Sequence, residues 1–203
     1  MQLTVTRGAK AEYQDEMGRR YFSVSQHIQI LDPDAFVGVR PSILAAAGMR
    51  GEKLHIYFAL MVLSVNGIVP WPERPAGPLM HPFDSIARWV EKYQPKTLPA
   101  FPPETPVADL KLKTAGTPDL PCLLQDDLAI IDLKNGMRRA VHSPQLHAYK
   151  RLCNIRGLKR VFSLYSQADG SIAKLADHSR DHVDWSAFMA ANAILNWRML
   201  RNL

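Results

Sequence analysis

Asp119, Asp132 and Lys134 are the residues whose types and spacing could do chemistry in this chain. They lie in GTPDLPCLLQDDLAIIDLKNGMRRAVHSPQLHAY, residues 116–149. Two apolar runs, Leu120–Leu124 and Leu128–Leu133, flank the polar turn Gln125-Asp126-Asp127, a hairpin pattern. Asp119 stands where the first strand begins, and Asp132 interrupts Ile130-Ile131-Asp132-Leu133. Lys134 follows two residues later, so Asp132 and Lys134 leave the same face of one strand. An acid and a lysine on a mostly apolar strand are costly to bury unless something pairs with them. A divalent cation held by Asp119 and Asp132, beside an ammonium at Lys134, removes that cost. Oxygen ligands of this kind select hard cations, Mg²⁺ or Mn²⁺.

The hairpin is followed by a helical pattern from about Ser143 to Asn154, with Ser143 as a cap and Pro144 at its first position. Gln145 and Tyr149 are four apart and share one face of it. On their own they read as plain exposed helix residues. Upstream, Arg50-Gly51-Glu52-Lys53-Leu54-His55 opens an apolar helix, and a lone histidine there is ordinarily a hydrogen-bonded core residue. Together the motifs Gly51/His55, Gly116/Asp119, Asp132/Lys134 and Gln145/Tyr149 resemble the PD-(D/E)xK nuclease superfamily. The RecB-like and phage exonuclease branch carries Gly-x-x-x-His, Gly-x-x-Asp, Asp-x-Lys and Gln-x-x-x-Tyr in this order. Each piece is common alone; the order on a hairpin followed by a helix makes the resemblance specific.

The resemblance implies a restriction-endonuclease-like α/β core, a mixed central β-sheet flanked by helices, and metal-dependent hydrolysis of DNA. It implies that Asp119, Asp132 and Lys134 are catalytic and that Asp119, Asp132, His55 and the backbone carbonyl of Leu133 hold the metal. Glu104, just before a strand, reads first as an exposed strand-edge carboxylate; by the same analogy it is the candidate for an extra metal or water contact. Gln145 and Tyr149 would brace the catalytic strand and contact a phosphate. Tyr21-Phe-Ser-Val-Ser-Gln26 resembles an entry segment near the nucleic-acid path, which brings in Ser23 and Ser25, although both also suit plain helix capping. Arg138, Arg139, Lys150 and Arg151 are the candidates for backbone contacts, against the default of a solvated charged face. Acting from ends, as an exonuclease in recombination, repair or phage DNA processing, is the leading expectation. An endonuclease of the same fold, restriction-type or resolvase, and a non-catalytic nucleic-acid-binding module are the alternatives.

The positioning elements come next. Leu3–Thr6 and Tyr21–Val24 read as short strands around a turn at Asp15–Gly18. Ser25 would cap a helix over Gln26–Leu31, which Asp32-Pro33 stops. Residues 42–66 read as a helix broken near Gly48, with Glu52–Asn66 buried on most sides and Gly67 as terminator. The proline-rich 68–81 stretch reads as a surface loop, a candidate flap, before a helix from Pro82 to Tyr93. A strand at Val107–Lys113, a hairpin of Leu158–Ser166 with Ile172–Ala176, and a last helix from Asp184 complete the chain. In that helix Trp185, Phe188, Leu195 and Met199 are expected to face inward. Strands and helices interleave, which makes an α/β protein.

At 203 residues the sequence fits one domain spanning 1–203 with a sizeable core. Its 25 Lys and Arg against 19 acids give a net charge of +6, which suits a polyanion such as DNA and equally suits plain solubility. Two cysteines, Cys122 and Cys153, suggest no disulfide framework and cannot supply the four ligands of an iron–sulfur cluster. There is no signal-peptide pattern and no apolar run near the ~20 residues of a bilayer span. A cytoplasmic location without membrane attachment is expected.

Overall fold

The polar turn at residues 125–126 sets the register of the central hairpin. In the computed structural model, which describes residues 3–6, 11–180 and 183–201, Gln125 and Asp126 have φ of 49° and 69°. Positive φ at both central positions is what a two-residue type I′ turn requires. Strand β7 (Leu120–Leu124) accordingly pairs antiparallel with β8 (Asp127–Lys134), from Leu124↔Asp127 to Leu120↔Ile131.

Around this hairpin the chain builds a mixed five-stranded sheet in the order β10-β9-β8-β7-β4, with β4 at Lys96–Thr97, β9 at Arg160–Tyr165 and β10 at Lys174–Asp177. Strands β8 and β9 run parallel, placing Asp132 opposite Ser163 and Lys134 opposite Tyr165. A second mixed sheet has the order β1-β2-β3-β6-β5. It joins Leu3–Thr6, Glu12–Asp15, Arg20–Ser23, Thr114–Gly116 and Val107–Asp109 in that order. Only β3 and β6 are parallel in it. The single central sheet expected from sequence is therefore two sheets; the chain crosses between them from β3 to β4, back from β4 to β5, and finally from β6 to β7. The strand expected over Val107–Lys113 stops at Asp109, whose carboxylate accepts the N–H groups of Lys111 and Leu112 and starts a turn.

Five α-helices are present among the described residues. Helix α1 (Val24–Leu31) is capped by Ser23, not Ser25. The Ser23 hydroxyl accepts the Gln26 N–H, and the Gln26 side chain returns to the Ser23 N–H, a reciprocal box that Ser25 has no partner to form. Helix α2 (Pro41–Val65) runs unbroken through Gly48, where an added Cβ would meet nothing. The flanking alanines carry the helix across that glycine. Helix α3 (Met80–Tyr93) begins two residues before Pro82, behind a 3₁₀ turn at Gly77–Leu79. Pro82 still lies in the first turn, where its missing N–H costs no helical bond. Helix α4 (His142–Cys153) likewise starts one residue early, and Ser143 does not cap it: its hydroxyl is committed to Asp184. In α5 (Asp184–Leu200), Phe188 is buried and Trp185 and Leu195 are half-buried, whereas Met199 is exposed because the helix end runs past the core.

Alternation along β8 divides the core. Ala129, Ile131 and Leu133 pack with Leu54, Phe58, Trp89 and Leu164 under α2 and α3. Ile130 faces the other way, with Val161, Leu146, Ala148 and Phe188, under α4, α1 and α5. Asp132 and Lys134 share the parity of Ile130 and so emerge on the α4 side. No helix among the described residues is long and apolar enough to cross a membrane.

Candidate metal centre

Asp119 occupies the first residues after β6, where the chain leaves one sheet for the other, and it is held from two sides. Its Oδ2 accepts the backbone N–H of Leu133 on β8 at 2.6 Å. Its Oδ1 lies 2.9 Å from Nδ1 of His55, which α2 presents from its middle turns. The contact at Leu133 is thus made through its N–H.

Glu104 completes a cluster with these two. One ligand atom each from His55, Glu104 and Asp119 lies within 4.8 Å of the others, and Glu104 Oε1 is 3.8 Å from His55 Nδ1. Glu104 is partly buried and has φ of 61°, an unfavourable conformation for a residue with a Cβ. Its N–H donates to the Asp119 carbonyl at 3.1 Å, which holds the loop in that conformation. The structure thus places Glu104 half-buried beside His55 and Asp119, where the sequence favoured an exposed strand-edge carboxylate.

Asp132 is buried beside this group but outside the three-atom cluster, and Lys134 Nζ forms its ion pair. The ammonium sits off the direction a hydrogen bond needs, leaving Asp132 Oδ2 charge-compensated without one. Lys134 donates instead to Gln145 Oε1 at 2.7 Å, and Gln145 Nε2 donates to the Tyr149 hydroxyl at 3.2 Å. One wall of the site is therefore a chain of contacts from Asp132 through Lys134 and Gln145 to Tyr149.

The electrostatics are those of a site short of positive charge. Burial raises the Asp119 carboxyl, His55 opposes that shift, and Asp132 and Glu104 add to it; the result is about 6. For His55, burial disfavours the charged ring but the attraction of Asp119, Glu104 and Asp132 outweighs it, and the pKa rises to about 10. Burial and the same two aspartates push the Tyr149 phenol well above its usual value. The donor set of one imidazole and two carboxylates suits Mn²⁺ or Mg²⁺. Bonds of about 2.0–2.2 Å put adjacent ligand atoms roughly 3 Å apart and opposite ones a little over 4 Å, so only small inward movements of these side chains separate the cluster from a coordination shell.

The other sequence candidates are distributed unevenly. Ser23 is buried in its capping box, while Ser25 is exposed and lines cavities on both sides of the site, one with Glu104 and Tyr149, the other with Lys134 and Gln145. Arg139 reaches the second of these cavities, and Arg138 lines a neighbouring one with Asp184. Lys150 and Arg151 turn away: Lys150 donates to the Lys159 carbonyl and Arg151 lies over Trp185. The 68–81 loop is exposed but folds back onto α3 through a bidentate Arg74–Asp84 pair, both bonds 2.6 Å. Residues 68–81 line neither cavity beside the site; residues 32–52 wall both. Sequence reasoning passed over His142, whose Nδ1 is 2.7 Å from the Tyr165 hydroxyl and which lines the Lys134 cavity. Its place three residues before Gln145 on one helix face was the available signal.

Comparison with protein-family models and with curated proteins finds no match for this chain.

Proposed function

We propose that the protein is a divalent-metal-dependent deoxyribonuclease of the PD-(D/E)xK type, acting from DNA ends. The observation that carries this reading is the convergence of His55, Glu104 and Asp119 next to the Asp132–Lys134–Gln145 chain. We assign the β7–β8–β9 sheet with α4 to a restriction-endonuclease-like core on the strength of the motifs it carries.

His55, Glu104 and Asp119 would hold a Mg²⁺ or Mn²⁺ ion, with Asp132 and the Leu133 carbonyl next to it. Such an ion supplies acidity to bound water and charge stabilisation to phosphoryl oxygens. The protein's own groups do the rest. Lys134, fixed by Gln145, directs an ammonium at the negative charge that builds on a phosphate. Tyr149 holds Gln145 in register, and as a neutral phenol it can give a hydrogen bond without adding charge. Asp119, tied to the Leu133 N–H, keeps one carboxylate oxygen aimed at β8 and the other at His55. Arg139 and Ser25 extend the site along the substrate backbone.

The test is digestion of linear and closed-circular DNA, single- and double-stranded, with Mn²⁺, Mg²⁺ or EDTA. Progressive loss of linear DNA, survival of circles and complete inhibition by EDTA support the reading. Equal cutting of circles replaces it with the endonuclease alternative, and metal-independent binding without cleavage replaces it with the binding module.

A further inference from the structure

Phe36 is a large apolar side chain left 56 % exposed, at the edge of a small cavity that opens onto Lys134. The cavity encloses about 190 Å³ between α1, the segment following it and the start of α4. Lys134 and Gln145 form one end, and Phe36, Asp32 and Arg139 form the other. Arg139 pairs with Asp32 and places its guanidinium over the Phe36 ring at 5.3 Å. Asp32 is thus already neutralised, and the cation at the opposite end of the groove is Lys134, whose ammonium is shared with Asp132 and Gln145. One ring face of Phe36 is covered by Arg139, while the residue as a whole stays largely open to solvent.

We infer that this groove takes one unpaired nucleotide of the substrate strand, its base against Phe36 and its phosphate towards Lys134. The inference rests on the nuclease reading and adds to it that the strand is single where it enters. Three features select this occupant. A guanidinium stacked behind an aromatic ring makes a layered platform that a flat base extends by one more layer. The Lys134 charge lies where the phosphate of that nucleotide would meet the catalytic wall. The volume is below the range of cavities that enclose drug-sized molecules and accommodates a single base but no base pair. Sequence preference is expected to be weak, because every base offers a stacking face.

The test compares wild type, Phe36→Ala and Phe36→Tyr by fluorescence anisotropy, with Ca²⁺ replacing Mn²⁺ to prevent cleavage. The probes are a labelled oligothymidylate, a blunt duplex of the same length and an oligomer of abasic residues. Phe36→Ala should weaken oligothymidylate binding roughly 5- to 100-fold, leave duplex and abasic binding unchanged, and keep the salt dependence. Phe36→Tyr should restore the wild-type value. Unchanged oligothymidylate binding in Phe36→Ala, or an equal loss on duplex, overturns the inference while leaving the nuclease reading standing if Mn²⁺-dependent cleavage persists. A wild-type protein that neither binds nor cuts any probe removes both. A shift in sedimentation of the free protein on Phe36→Ala also overturns it, because Phe36 would then belong to a contact between copies of the chain.

Discussion

The ring of Tyr149 fills the space that a side chain at Gly116 would need: an added Cβ would lie 2.7 Å from Tyr149 Cε1 and 2.9 Å from Val24 Cγ2. Gly116 is not in a left-handed conformation, so its lack of a side chain is a packing requirement. Two motif residues separated by 33 positions in the chain thus explain each other. Gly116→Ala should cost about 1–3 kcal/mol in urea unfolding through overpacking. It should also displace Tyr149 and through it Gln145 and Lys134. A double-mutant cycle with Tyr149→Leu should show strong coupling, the pair losing less than the sum of the singles. Additive losses would sink the packing account.

Metal binding should release a proton. His55, held at a pKa of about 10 in the metal-free protein, carries a proton at neutral pH that a cation must displace. Mn²⁺ affinity should therefore rise about tenfold per pH unit between pH 6.5 and 8.5, and more steeply below about 6, where Asp119 also protonates. Calorimetric titration in two buffers of different ionisation enthalpy measures the released proton directly. His55→Ala and Glu104→Gln should each weaken Mn²⁺ by roughly 10- to 100-fold or more, since even outer-shell losses cost that much. A Glu104→Gln protein with unchanged affinity would remove Glu104 from the cluster.

Glu104 also shows where sequence reading reached its limit. The β7–β8 hairpin was legible because its turn chemistry and apolar alternation are local properties of residues 120–134. The parity that puts Asp132 and Lys134 on one face followed from the same pattern. Glu104 is brought to His55 by a left-handed backbone and one hydrogen bond to Asp119, neither of which leaves a mark in composition. The parallel pairing of β3 with β6, Phe22↔Thr114, joins segments about ninety residues apart and is equally silent. Ser23 and Ser25 were both plausible caps; only the return bond from Gln26 decides between them.

Lys134 is the counter-charge of a buried aspartate, so its loss should be felt in stability as well as in rate. Lys134→Ala should destabilise the metal-free protein by about 3–5 kcal/mol by leaving Asp132 uncompensated. Mn²⁺ should then raise the melting temperature more in this variant than in wild type. Equal thermal shifts would show that Asp132 does not sense the cation.

Far from the site, Asp15 accepts hydrogen bonds from Tyr21 and from the Met17 and Arg19 N–H groups, and pairs with the Arg19 guanidinium at 2.7 Å. Burial opposes ionisation, but these bonds prevail and lower its pKa to about 2. A lowered folded-state pKa contributes stability that is complete above the unfolded value near 3.8 and is lost as pH falls towards 2. Asp15→Asn should be less stable than wild type at pH 6, with the difference shrinking between pH 4 and 2. A difference independent of pH would mean that the carboxylate charge is immaterial.

The joint at Thr117–Asp119 carries the chain directly from β6 in one sheet to β7 in the other. Asp119 sits in that joint while His55 rides on a helix packed against the sheet that contains β7 and β8. Any sliding of the sheets past each other is therefore felt as a change in the spacing of the ligand atoms. A cation gripping all three would act as a rivet across the seam. Amide exchange should slow in β3 and β6, which contribute no ligand of their own, and a substrate would meet a stiffer molecule than the one that bound the ion.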